Sequence, residues 1–160
     1  LSGPNSFNNP DMLEVGNGKL SNAENRAHFS LWCILSAPLI LGNDLRDIPK
    51  DVLEIITNKE VIALNQDPLC KQAVKVVDTG RIEIFSKPLA NGDLGVCVLN
   101  RGGSPKTVIV EWEHLGLKTG SKVEIRDLWS HKDLGLFSGA IETSVDSHDV
   151  VVYRISKQGV

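Results

Sequence analysis

Asn8-Asn9-Pro10-Asp11-Met12-Leu13 is a short polar segment stiffened by a proline and closed by two apolar residues. Pro10 fixes its own φ and pushes Asn9 toward an extended backbone, so the stretch is non-helical and able to aim its side chains. Amides and a carboxylate this close together supply donors and acceptors for a polyhydroxylated ligand, while Met12 offers an apolar surface to the CH face of a sugar ring. Taken alone, the same residues also read as an ordinary turn. Their neighbours decide between the two.

Gly16-Asn17-Gly18 breaks the chain, and Ser21-Asn22-Ala23-Glu24 then has the S-x-x-E form of a capping box at a helix start. Ala23, Ala27, Leu31, Ile34 and Leu35 recur at helical spacing and predict one apolar face, with Glu24, Asn25 and Arg26 turned to water. Pro38 ends that helix, and Leu39-Ile40-Leu41 reads as a short strand buried on both faces, as in a parallel sheet. Pro49 suits the first turn of a second helix with Val52, Leu53, Ile55 and Ile56 as its stripe, and Asn58 caps a third from Lys59 to about Asn65. Loop, helix, buried strand and helix follow one another in the rhythm of β/α units.

From about Val74 the period changes to two. Residues 73–77, 81–87, 94–99, 107–112, 122–128, 140–145 and 149–155 read as strands, separated by Thr79-Gly80, Asn91-Gly92, Gly102-Gly103 and Thr119-Gly120. Asn91-Gly92 is the strongest hairpin signal and predicts a type I′ turn. Short antiparallel strands in this number predict a β-sandwich over residues 75–160.

The opening stretch, Gly3-Pro4-Asn5-Ser6-Phe7-Asn8-Asn9-Pro10-Asp11-Met12-Leu13-Glu14-Val15-Gly16-Asn17-Gly18, resembles the G-P-G-G-W-N-D-P-D-M-L-x-x-G-N motif of the melibiase-type α-galactosidases. The resemblance continues through His28-Phe29-Ser30-Leu31-Trp32, Ala37-Pro38-Leu39, Asn43-Asp44-Leu45-Arg46 and residues 58–69, and again in residues 126–135. It implies an α/β plus all-β fold: residues 1–74 as the last two βα units of a (β/α)8 TIM barrel, followed by the family's antiparallel β-sandwich over 75–160. A complete barrel takes about 250 residues, so roughly six units are expected before Leu1.

The resemblance also implies function. Asp11 and Met12 match positions that line the galactose pocket, Asp11 as an acceptor for sugar hydroxyls. The family is a set of retaining hydrolases, which need two carboxylates about 5–5.5 Å apart as nucleophile and acid/base. Both are Asp residues on earlier barrel strands, so no catalytic residue is assigned within this chain and the chain alone is expected to be inactive. Phe7 stands where the family has Trp and Asn9 where it has Asp, which removes an indole N–H and a charge from the loop. Three readings follow: a portion of an α-galactosidase acting on terminal α-linked galactose, a non-catalytic carbohydrate-binding or structural sandwich, or a pseudoenzyme relative. Galactose and N-acetylgalactosamine both stay open as the sugar, and homo-oligomerisation is left open. The implied compartment is secreted, lysosomal or vacuolar.

Composition limits the other classes. With 160 residues, 41% of them hydrophobic, and a net charge of −3, the chain has an ordinary globular make-up and no basic field for nucleic acid. No apolar run is long enough to cross a bilayer, and no N-x-Ser/Thr sequon occurs. Cys33, Cys70 and Cys97 lack metal-ligand spacing and read as buried or free thiols, with a disulfide to an upstream cysteine left open for one of them. No metal or cofactor is expected. Asp44 reads as an anchor near Arg46, His28 and Glu24 as a helix-surface pair, and His131 as exposed or bonded to backbone. Gly16-Asn17-Gly18-Lys19 lacks the spacing of a phosphate loop. Trp112 and Trp129 read as core residues, with a carbohydrate-stacking platform as the alternative.

Overall fold

The computed structural model describes residues 3–157. Among them three helices come first: α1 (Asn22–Ile34), α2 (Lys50–Ile56) and α3 (Lys59–Asn65). Eight strands follow: β1 (Val74–Asp78), β2 (Ile82–Pro88), β3 (Leu94–Asn100), β4 (Lys106–Glu111), β5 (Lys122–Asp127), β6 (Lys132–Ser138), β7 (Ala140–Val145) and β8 (Val150–Lys157). A 3-10 turn, Trp112–Leu115, lies between β4 and β5.

Local chemistry starts the helices where the sequence predicts. Ser21 Oγ accepts the Glu24 N–H at 3.3 Å, and the Glu24 carboxyl accepts the Ser21 N–H at 2.8 Å, which satisfies two donors that the helix cannot. Asn58 Oδ1 accepts from the N–H groups of Glu60 and Val61, and its own amide donates to Leu128 O at 2.9 Å, so one cap also ties α3 to the sandwich.

The buried face of α1 departs from the predicted stripe. Asn25, Ala27, Phe29, Ser30, Cys33 and Ile34 are buried, whereas Ala23, Leu31 and Leu35 are only partly so. The cause is that α1 is packed on two sides, against α2 and α3 and against β2, β3 and β8, which covers more than one stripe. Asn25, expected in water, accepts the Gly16 N–H at 2.8 Å. Leu39-Ile40-Leu41 is also not a strand buried on both faces. Among the described residues Leu41 makes a single parallel bridge, to Leu13, and Ile40 is 54% exposed.

The strands form a six-stranded sheet in the order β1-β2-β3-β8-β5-β6 and a two-stranded sheet β4-β7, antiparallel at every pairing. Alternation assigns the two faces of the large sheet to two cores. Ile84, Val96, Val98, Tyr153 and Ile155 face the small sheet and Trp112, whereas Phe85, Cys97, Leu99, Val150 and Val152 face the helices. Central strands buried on both sides explain the unbroken apolar runs in β3 and β8. Trp112 lies in the core, its Nε1–H donating to Ser121 O at 2.9 Å. Asn100, fully buried, donates to Ser104 O, Val145 O and Asp146 O and ties the sheets together.

One turn and one strand differ from expectation. The β2–β3 connection runs from Leu89 to Asp93 with Leu89 N–H donating to Asp93 O at 2.9 Å, and only Gly92 of the pair Asn91-Gly92 has a positive φ. That geometry is a longer loop closed by a glycine rather than a type I′ turn, which needs positive φ at both central residues. The strand β6 had no counterpart in the sequence reading. It is an edge strand, exposed at every residue but Phe137, so burial imposes no alternation on it.

Candidate functional site

The loop before α1 is held at both ends and bare in the middle. Gly3 and Ser6 exchange backbone hydrogen bonds at 2.7 and 3.0 Å, and the Asn8 amide donates to Gln72 Oε1. Downstream, Leu13 N–H donates to Ile40 O at 2.8 Å and Gly42 N–H to Leu13 O at 2.9 Å, while Leu13 and Val15 are wholly buried. The Asn43 amide donates to Val15 O. Gly16 lies against α2 at φ +83°, where an added Cβ would fall 2.6 Å from Val52 Cγ2, so only glycine fits that crossing.

Between these anchors Asn9 Oδ1 accepts the Asp11 N–H at 3.0 Å across Pro10, an Asx turn. Asp11 is thereby held at φ +79°, a left-handed conformation unusual for a residue with a side chain. No described residue hydrogen-bonds to the Asp11 carboxyl, which is exposed to solvent next to Met12, itself 39% exposed. The site therefore offers an unoccupied acceptor and adjacent apolar surface on a backbone locked from both sides. Asn9 supplies its turn bond with a side-chain oxygen, as an aspartate would at that position.

Other candidates are placed as follows. Asp44 accepts from Arg46 through the backbone N–H at 3.0 Å and the guanidinium, and these bonds hold its carboxyl below the usual range. It is an exposed local anchor, as expected. His28 is not paired with Glu24: its Nε2 accepts the Glu14 N–H at 3.1 Å, and its ring meets Trp32 edge-on with centroids 4.2 Å apart. Burial pushes the His28 pKa down against the pull of Glu14, which keeps that nitrogen available as an acceptor. His131 is exposed, but its Nδ1 lies 2.8 Å from Glu60 Oε1 rather than on backbone. Cys33 and Cys97 are buried free thiols and Cys70 is a partly exposed one. Among the described residues no three His, Cys, Asp or Glu side chains are grouped as metal ligands would be.

The sequence reading missed the ties between helices and sandwich. Arg26 pairs with Asp149, Trp129 Nε1–H donates to Ser30 Oγ at 3.0 Å, and Arg126 makes two bonds to the Glu60 carboxyl at 2.6 and 2.8 Å. These bonds hold the Glu60 pKa down at about 2, with Arg126 the main cause.

A loop bridged in parallel to the next strand segment, wrapped by helices and sealed onto an antiparallel sandwich, belongs to the class of proteins that follow a (β/α)8 barrel with a β-sandwich. Residues 1–67 match the family model described as Alpha galactosidase A, and residues 79–155 match the Alpha galactosidase C-terminal beta sandwich domain. The chain is 42% identical to alpha-galactosidase 3 of Arabidopsis thaliana over 99% of its own length and 37% of that protein. It superposes with a TM-score of 0.91 on the crystal structure of alpha-galactosidase I from Mortierella vinacea, at 38% identity, covering 96% of this chain and 41% of that one. The alpha-galactosidase of Saccharomyces cerevisiae with raffinose gives a TM-score of 0.86 at 25% identity, covering 95% and 47%. The chain belongs to the α-galactosidase family. It spans less than half the length of these relatives.

Proposed function

We propose that residues 1–74 complete the catalytic barrel of an α-galactosidase and that residues 75–160 are its sandwich domain. The protein as a whole would hydrolyse terminal non-reducing α-linked galactose with retention, through a pair of Asp residues on barrel strands preceding Leu1. Asp11 accepts hydrogen bonds from galactose hydroxyls, and Met12 lies against the CH face of the ring. The observation that carries this reading is the free Asp11 carboxyl, fixed at φ +79° by the Asn9 turn next to the Leu13–Leu41 bridge, where strand ends of a barrel place their site. Raffinose, which carries such a galactose and accompanies the yeast neighbour, is a suitable substrate class. A secreted, lysosomal or vacuolar location fits this assignment.

The chain by itself lacks the carboxylate pair. Asp44 does not complete one with Asp11, because its carboxyl is taken up by Arg46. The 160-residue chain is therefore expected to release no nitrophenol from p-nitrophenyl α-galactoside. Turnover by the purified chain that disappears in Asp11→Asn would overturn the placement of the catalytic pair upstream.

A further inference from the structure

One helix grips the loop that carries Asp11 and Met12 at two points. Asn25 and His28 lie three residues apart on α1, a spacing that puts both on one face. Asn25 Oδ1 accepts the Gly16 N–H at 2.8 Å, and His28 Nε2 accepts the Glu14 N–H at 3.1 Å. The backbone bonds of Leu13 go instead to Ile40 and Gly42, and hold it to the next strand segment but not to α1. Two bonds on one residue act as a hinge, and the grips at Glu14 and Gly16 stop the loop rocking about it. Glu14 is two residues from Met12 and three from Asp11, so the His28 grip is the nearer of the two to the proposed sugar contacts.

The two grips differ in chemistry. An amide oxygen accepts at any pH, whereas an imidazole nitrogen accepts only while it is unprotonated. With Nε2 as acceptor, the neutral His28 carries its proton on Nδ1. Trp32 holds the ring edge-on, with centroids 4.2 Å apart. A proton added at Nε2 sets two N–H donors against each other. Among the described residues the Glu14 carboxylate is the charged group whose field reaches the ring, and it pulls the pKa up less than burial pushes it down. Glu24, one turn earlier on α1, is turned to its own cap at Ser21, and on α2 Asp51 bonds with Asn22 and Glu54 pairs with Lys50.

We propose that His28 is a positioning residue for galactose binding: neutral, it clasps the Glu14 N–H and holds Asp11 and Met12 in place, and protonated on Nε2 it lets that end of the loop go. The folded chain binds this proton less tightly than the unfolded one. The clasp's contribution to stability is therefore complete above about 6.5 and is lost as pH falls through the folded value. In acid the site loses the fixed position of its contacts, which raises KM more than it lowers kcat. The inference rests on the reading of Asp11 and Met12 as sugar contacts, whereas the clasp itself belongs to the fold.

The clasp and its effect on the site are tested separately. In this chain the Glu14 amide, the His28 ring and the methyl of Met12, its one methionine, are followed by NMR from about pH 8 to about pH 5. The expected result is one midpoint, below 6.5, shared by all three. In Glu14→Gln, which keeps the backbone N–H and removes the nearby carboxylate, the shared midpoint persists and moves to lower pH. In His28→Gln, whose amide oxygen accepts without titrating, the Glu14 and Met12 transitions disappear. Glu14 and Met12 signals that ignore the His28 midpoint, or that keep it in His28→Gln, overturn the clasp. Its effect on binding is read with p-nitrophenyl α-galactoside in a chimera that joins this chain to the preceding part of alpha-galactosidase 3 of Arabidopsis thaliana. Over the same pH interval KM rises severalfold, His28→Gln loses most of that rise, and His28→Ala shows the raised KM at both ends. An equal pH dependence of KM in wild type and His28→Gln overturns the proposal. An active chimera indifferent to Asp11→Ala overturns the sugar-contact reading instead, and leaves the NMR result standing.

Discussion

Lys87, buried in β2, donates from Nζ to Leu64 O at 2.6 Å and to Ser36 Oγ at 2.7 Å. A sandwich lysine thus bonds the last turn of a barrel helix. Burial pushes its pKa below that of an ordinary lysine, with Asp67 opposing. The unfolded chain binds this proton more tightly than the folded one, so stability rises with pH from the folded pKa up to about 10.4. In urea titrations across that interval, the wild type should gain stability relative to Lys87→Met as pH rises. Lys87→Ala should cost about 2–4 kcal/mol, from the lost methylenes and the orphaned carbonyl.

Glu60 gives the opposite sign. Its folded pKa of about 2 lies below the ordinary 4.5, so its contribution is fully present above 4.5 and is lost as pH falls through about 2. Glu60→Gln should lower the thermal midpoint by about 3 °C at pH 7, with the difference from wild type vanishing toward pH 2 in thermal unfolding.

Asp11 sits in a conformation that glycine adopts without strain. Asp11→Gly should therefore stabilise the chain by up to about 1 kcal/mol in denaturant unfolding, as relief of a left-handed non-glycine residue predicts. The same change should remove sugar contact, so stability and function would move in opposite directions at one residue.

Thiol labelling separates the cysteines. Burial pushes the Cys97 thiol up to about 12 and the Cys33 thiol higher still. Native protein should therefore react at Cys70 alone, and all three should react in denaturant. Labelling followed by mass mapping reads the result.

Local signals were legible in the sequence and long-range ones were not. Ser21-x-x-Glu24 and Asn58 specify helix starts through bonds spanning a few residues, and strands such as β3 declare themselves because burial fixes their residues. The edge strand β6 left no such imprint. The buried face of α1 was misread because two partners, not one, cover it. Asp11 and Met12 were marked by their motif, but the Asx turn that fixes Asp11 φ depends on geometry around Pro10. Nothing in the order of residues joins Glu60 to Arg126 or Arg26 to Asp149, so the seam between helices and sandwich came into view only with the fold.

The most direct measurement is hydrolysis of p-nitrophenyl α-galactoside by a chimera in which this chain replaces the matching part of alpha-galactosidase 3 of Arabidopsis thaliana. The account predicts turnover that falls about 100-fold or more in kcat/KM when Asp11 is changed to Ala, as loss of a charged acceptor to substrate hydroxyls requires. A folded, active chimera whose kcat/KM is indifferent to Asp11→Ala would contradict it.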